Sequence, residues 1–306
     1  LFDWQRRFDA GVKAQESGDF QQAATDYDQA EQIDQSYAEL RFRRGQCALA
    51  LKDVETAQNE FVAARDLDAL RFRCDSRLND IIRQQAVGDV TLADGERALA
   101  EASPDGIPGD DLFYEHVHLT FQGNYVLARA IAEKVEGVLK LPENASWPDL
   151  AQCAQRLGHT SRDTQLALSI MFGRLGGVPF VFKTPTAAAL RRLTEAARQL
   201  PPANSAASLR GAQTAAEAAL ARWPDDAELW EQLGEIKARE GDYVGGGAAV
   251  QHSLDLVPSS EECWLLYGTL LAQEEKYEDA IAAFKCVFAL NPQAVWARQN
   301  LALCLE

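Results

Sequence analysis

Apolar positions in this chain fall mostly at helical spacing. They do so in CDSRLNDIIRQQAV (74–87), where Asp75 or Ser76 is placed to cap the helix, and in YVLARAIAEKVEGVL (125–139). ERALAEA (96–102) reads as a short helix. WPDLAQCAQRL (147–157) reads as an amphipathic one, started at Ser146 or Trp147-Pro148. One run departs from this pattern. GDVTLAD (88–94) is β-branched and apolar between Gly88 and Asp94, and predicts a strand. SPDGIPGDD (103–111) predicts a loop, and LFYEHVHLTFQGN (112–124) a polar-aromatic loop leading into the helix at 125. GGVPFVFKTP (176–185) predicts a turn and an apolar extended piece.

Over this local pattern lies a longer period. Trp230, Gly234, Tyr243 and Pro258 recur 34 residues on as Trp264, Gly268, Tyr277 and Pro292. Near the N-terminus Gly11, Ala23, Tyr27 and Ala30 recur at the same interval as Gly45, Ala57, Phe61 and Ala64, and Gly18-Asp19-Phe20 fills the slot of Gly241-Asp242-Tyr243. A weaker unit at Ala212, Ala216, Ala219 and Pro224 precedes the C-terminal pair. Helical hairpins explain these residue types. Small residues stand where two helices approach closely, and aromatics such as Tyr27, Phe61 and Phe284 fill the space beside them. Gly18 and Gly241 end the first helix of a pair. Pro258 and Pro292 cannot continue a helix and open the next one. One hairpin cannot bury its apolar face alone, so neighbours stack. Residues 293–305 form a last helix capping the stack.

These positions resemble the tetratricopeptide-repeat family, over roughly residues 1–68 and 190–306. The resemblance implies a mainly α protein: an α-α superhelix in two blocks whose first helices line a concave face. The period breaks near residue 69 and returns near 186, giving four segments: repeats at 1–68, a non-repeat segment at 69–140, a helical connector at 141–185 and repeats at 186–306.

The non-repeat segment resembles a second family. A strand ending in Asp, a Gly-rich loop and FYEHVHLTFQGNYVLARAIA are similar to the end of an SGNH (GDSL-like) hydrolase domain, whose last motif is an acidic residue, two positions, then His. That resemblance implies a small α/β segment with His118 as general base and Glu115 orienting it, the family's Asp being replaced here by Glu. The junction ARDLDALRFRCDSRLNDIIRQ (64–84) is similar to bacterial proteins in which repeats are inserted into such a domain. The family's Gly-Asp-Ser nucleophile motif and its oxyanion-hole Gly and Asn motifs are not visible, and Asp75-Ser76 reads as a helix start. The expectation is that a longer parent supplies them before Leu1, and the alternative is a non-catalytic remnant. His116 and His118 also form an HxH pair, but no third ligand at standard spacing accompanies them, so no metal is expected. No cofactor is expected either.

Charge narrows the partners. Lys and Arg total 30 against 46 Asp and Glu, a net −16. This repels phosphate backbones and anionic membranes, so a protein or peptide partner with basic character fits better than nucleic acid. No run of 18 apolar residues offers a membrane span. The six cysteines lack CxxC spacing and read as reduced, buried thiols, which favours a cytoplasmic, reducing compartment. Asn144-Ala145-Ser146 is a formal glycosylation sequon. In repeats of this kind the second, fifth and ninth places of the first helix face the groove. Here they are Glu228, Glu231 and Glu235, then Glu262, Leu265 and Thr269. The N-terminal units offer Gln5, Phe8 and Val12, then Glu39, Phe42 and Gln46. Three carboxylates on one helical face suit a Lys- or Arg-bearing segment. The Lys/Asn clamp that some family members use for a C-terminal carboxylate is absent. The reading is a non-catalytic protein-binding scaffold, with a serine esterase or acyltransferase of the SGNH type as rival and a structural spacer as third possibility.

Overall fold

The computed structural model describes residues 2–141, 147–180 and 186–305. It divides into two compact units, Leu1–Ala145 with Phe182–Ala189, and Ser146–Val181 with Leu190–Glu306. Among the described residues the regular elements are helices joined by loops, with no strand.

The first unit opens with two helical hairpins, α1 (Phe2–Glu16) with α2 (Phe20–Glu31) and α3 (Ala38–Ala50) with α4 (Val54–Leu67). Asp19 and Asp53, one period apart, cap α2 and α4 by accepting the Gln22 and Thr56 amides at 3.0 and 3.1 Å. Each pair packs small against large. A Cβ on Gly11 would stand 2.4 Å from the Tyr27 ring, and one on Gly45 would stand 2.9 Å from Phe61. The core of the first hairpin gathers Phe8, Ala23, Tyr27, Ala30, Leu40 and Cys47. Burial pushes the Tyr27 phenol up to about 12 and the Cys47 thiol up to about 11, in both cases against the nearby Arg43. Arg41 and Arg44 of α3 join the hairpins through Glu31 of α2 and Glu60 of α4, with Arg44 2.8 Å from Glu60. Burial holds the Glu60 carboxyl above the usual range, and the two arginines only partly offset it.

The same unit continues with α5 (Ser76–Gln84), α6 (Gly95–Glu101), a 3-10 turn at Pro104–Gly106 and α7 (Phe121–Leu139). Asp75 caps α5 by accepting the Leu78 amide at 2.8 Å. Residues 88–94 are not a strand. They run from the turn at Gly88 into Asp94, which caps α6 by accepting the Arg97 amide at 3.1 Å and pairs with Arg83 at 2.9 Å. A lone extended run has no neighbour for its amides, and Val90 is left exposed, so β-branching alone does not make a sheet here. The expected α/β segment is therefore helix and loop, with one isolated bridge between Phe113 and Leu119. Helix α7 starts four residues earlier than expected because Thr120 accepts the Gly123 amide at 3.1 Å.

The second unit begins with α8 (Leu150–Arg156), capped by Asp149, and α9 (Ser161–Leu175). It takes up again at Leu190, within α10 (Thr186–Arg198), and the stack then runs through α11 (Ala206–Leu220), α12 (Ala227–Glu240), α13 (Tyr243–Leu256), α14 (Glu261–Gln273), α15 (Tyr277–Leu290) and α16 (Val295–Leu305). Ser205, Asp226, Asp242 and Ser260 cap α11 to α14. The small-against-large rule holds again, with Gly234 against Val250 and Gly268 against Phe284. Gly241 takes φ 87° and closes α12, as its residue type requires. Pro258 does not open α14. It lies two residues ahead of the Ser260 cap, and its carbonyl accepts the Trp264 indole N–H at 2.8 Å. The Trp230 indole donates to Pro224 in the same way at 2.7 Å, one period earlier. Of the turn and extended piece expected over 176–185, residues 176–180 are turn, while 181–185 and the sequon at 144–146 fall outside the described residues.

Candidate functional site

The inner-helix positions of the second unit do not form a uniformly open acidic stripe. Glu228 is exposed near the start of α12. Glu231 lies beside the Cys263 thiol of α14; burial first, and then this carboxylate, raises the thiol pKa. Glu235 is paired within the unit: Arg162 of α9 donates to its Oε1 at 3.2 Å, and Arg239 approaches at 3.7 Å. One turn earlier on α12, Gln232 donates to Asp163 at 2.8 Å. On α14, Glu262 is exposed, whereas Leu265 packs into the core built on Phe284 and Val287. Thr269 donates to the Leu265 carbonyl at 2.8 Å and accepts from Asn300 of α16 at 3.4 Å. In the first unit, Phe42 packs on Phe61 at 5.6 Å between ring centroids, and Gln46 accepts from Gln15 of α1 at 2.9 Å. Several of the positions that the spacing rule names are thus used for contacts within their own unit.

The contacts that sequence reasoning missed are those from α9. Arg162 has a side chain 1% exposed, an unusual state for a guanidinium, with one carboxylate as its charge partner. Its Nε has no hydrogen-bond partner. Asp163 accepts the Thr160 amide and hydroxyl at 2.8 and 2.7 Å, which fixes the first turn of α9 beside α12. Gly158, at φ 66°, lets the preceding loop touch α11: a Cβ there would be 3.4 Å from the Ala215 carbonyl and the Ala216 Cα. The only trace of this in the sequence is a charged residue at the second place of a helix otherwise buried through Leu168, Met171 and Leu175.

Glu115 and His118 also come together. The Glu115 side chain is 4% exposed, accepts the His118 amide at 3.0 Å and receives His118 Nδ1 on the same oxygen. His116 Nδ1 is 3.1 Å from its other oxygen. Burial acts to raise the Glu115 pKa, but the hydrogen bonds from His118 outweigh it and hold the carboxyl below the usual range. Such a pair orients the His118 ring through its Nδ1. Among the described residues no group of three His, Cys, Asp or Glu is gathered as a metal site would need, and no helix is long and apolar enough to cross a membrane.

No curated protein matches this sequence. Among solved structures, the chain is similar to the TPR2AB domain of yeast Sti1 in complex with pHSP90, at 12% identity and TM-score 0.32, covering 99% of this chain and 98% of that one. It is similar to a thermophilic TPR protein of Thermus thermophilus, at 13% and 0.33 over 99% and 98%. A tetratricopeptide-repeat protein of Parabacteroides merdae matches at 10% and 0.32 over the whole of both chains. The family model for the tetratricopeptide repeat matches residues 8–69 and 206–261, the segments in which glycine meets Tyr27, Phe61 and Val250 across a hairpin. These two segments are where the chain is similar to the tetratricopeptide-repeat family.

Proposed function

We propose that this protein is an interaction scaffold whose C-terminal repeats hold a basic polypeptide segment along α12 and α14. Repeat hairpins leave the inner helices facing one another, and Glu228 and Glu262 stand exposed at equivalent places of successive units. The observation that carries the reading is the pairing of Glu235 with a guanidinium, since a face that takes one arginine has the charge and shape to take another. The test is fluorescence anisotropy with a labelled Arg/Lys-rich peptide. Binding should weaken as salt rises from about 0.05 to 0.3 M, because exposed charges are screened over a Debye length. It should weaken again in Glu228→Lys and Glu262→Lys. Indifference to salt and to both reversals removes the reading.

A second reading rests on the Glu115–His118 pair, which has the arrangement of a general base and its orienting carboxylate. On that reading a serine outside residues 1–306 is the nucleophile of an esterase or acyltransferase. The chain by itself should then be silent on p-nitrophenyl acetate. Turnover that disappears in His118→Ala would instead make the chain a hydrolase and displace the scaffold reading.

A further inference from the structure

We propose that the inner face of α12 is a receptor for the first turn of an arginine-led helix, and that the chain's own α9 occupies it, so that an outside partner of the same chemistry gains this face only by displacing α9. The inference rests on the reading that these inner helices bind polypeptide, and adds what regulates that binding.

Three observations carry it. The first turn of α9 presents Arg162 and Asp163 to α12, and each meets a complementary side chain there: Arg162 with Glu235, and Asp163 with Gln232. The two contacts lie about one helical turn apart on α12, so they recognise an adjacent pair of residues and not a lone charge. Second, α9 meets α12 in another register than the N-terminal hairpins use. There the ninth place of α3, Gln46, meets Gln15 near the end of α1. At the ninth place of α12, Glu235 instead meets the second residue of α9. The contact with α12 is thus made by the N-terminal end of α9. Third, the dock is imperfect. Arg162 is almost wholly removed from water, yet its Nε is unpaired and its charge partner Glu235 stays 37% exposed. Burying a charge with incomplete compensation offsets much of the attraction gained, so the closed arrangement is one a better-paired competitor can replace.

The experiment uses the full chain and a labelled synthetic peptide of residues 158–175. Arg162→Glu sets two carboxylates against each other and should release α9. The peptide should then bind this variant about tenfold more tightly than the wild-type chain, as for a face open in about a tenth of wild-type molecules. Adding Glu235→Arg to Arg162→Glu restores an opposite pair within the chain and sets an arginine against the peptide's own. Binding should fall back to the wild-type level or below. In parallel, backbone hydrogen exchange over 161–175 should accelerate in Arg162→Glu and return toward wild type in the double variant, with helix content by circular dichroism unchanged throughout. Equal peptide affinity for all three folded proteins, or exchange in α9 that ignores both substitutions, overturns the proposal. If the 158–175 peptide binds the released variant while the Arg/Lys-rich peptide binds neither protein, the basic-partner reading fails and the α9 dock stands.

Discussion

Gly268 and Phe284 approach so closely that a Cβ on the glycine would stand 2.7 Å from the ring. Real side chains do not reach that distance, so Gly268→Ala must push α14 from α15 or force the ring off its rotamer. Overpacking of this kind costs about 1–3 kcal/mol. Gly211 supplies the contrast: it lies within α11 with nothing near the position of its Cβ. Gly211→Ala should raise stability by about 0.5–1 kcal/mol, through helix propensity alone. Urea unfolding followed by circular dichroism separates the two signs. A stabilising Gly268→Ala would contradict the packing described for the hairpin.

The indole bonds make a second test. Trp230 and Trp264 each donate to a proline carbonyl in the loop ahead of their own helix, at 2.7 and 2.8 Å. Trp230→Phe and Trp264→Phe keep a ring but lose the donor. Each should cost about 0.5–1.5 kcal/mol in urea unfolding, and by similar amounts. A cost confined to one site would show that the two junctions are not equivalent.

The Glu115 carboxyl gives a prediction in pH. Its folded pKa lies below the ordinary value because the bonds from His118 outweigh burial. A depressed carboxylate contributes stability that is present above its unfolded pKa and lost as pH falls through the folded one. His118→Ala removes the imidazole but keeps the residue-118 amide and the His116 contact on the same carboxylate. The titration of Glu115, followed by carboxyl carbon NMR shifts, should therefore move up, and the stability it contributes above its unfolded pKa should shrink. An unmoved titration would mean that the His118 side chain is not what holds it down.

The thiols report burial in the first unit directly. Cys47 is 1% exposed with its pKa pushed up to about 11 by burial, whereas Cys74 is exposed. Iodoacetamide at pH 8 should label Cys74 within minutes and leave Cys47 untouched until the hairpin unfolds. Mass spectrometry of tryptic peptides distinguishes the two. Early labelling of Cys47 would refute the packing of α3 against α1 and α2.

The hairpins were legible because close approach imposes the same residue types at the same places. Gly11, Gly45, Gly234 and Gly268 are forced by the ring or branched side chain opposite, and that constraint is written into spacing alone. The strand expected over 88–94 failed for the converse reason. Val90 and Thr91 have strand propensity, but a strand also needs a partner, and propensity is blind to partners. For the candidate groove, helical periodicity puts Glu228, Glu231 and Glu235 on one helix, which is α12, yet it cannot reveal that Arg162, 73 residues away, pairs with Glu235. Nor can it reveal that Leu265 and Phe42 are spent on packing. The Glu115–His118 pair was visible as a motif, and the structure gathers it, although the sheet expected around it is replaced by helix and loop.

Each indole–proline bond spans the boundary between one hairpin's exit loop and the next hairpin's first helix. The step from one unit to the next is therefore pinned by a polar latch carried on a ring that also rests on the greasy interior. The same latch recurs on either side of α13, whose glycine-rich YVGGGAAV differs in residue type from the YEDAIAAF of α15, so the cadence of the array does not depend on one hairpin filling.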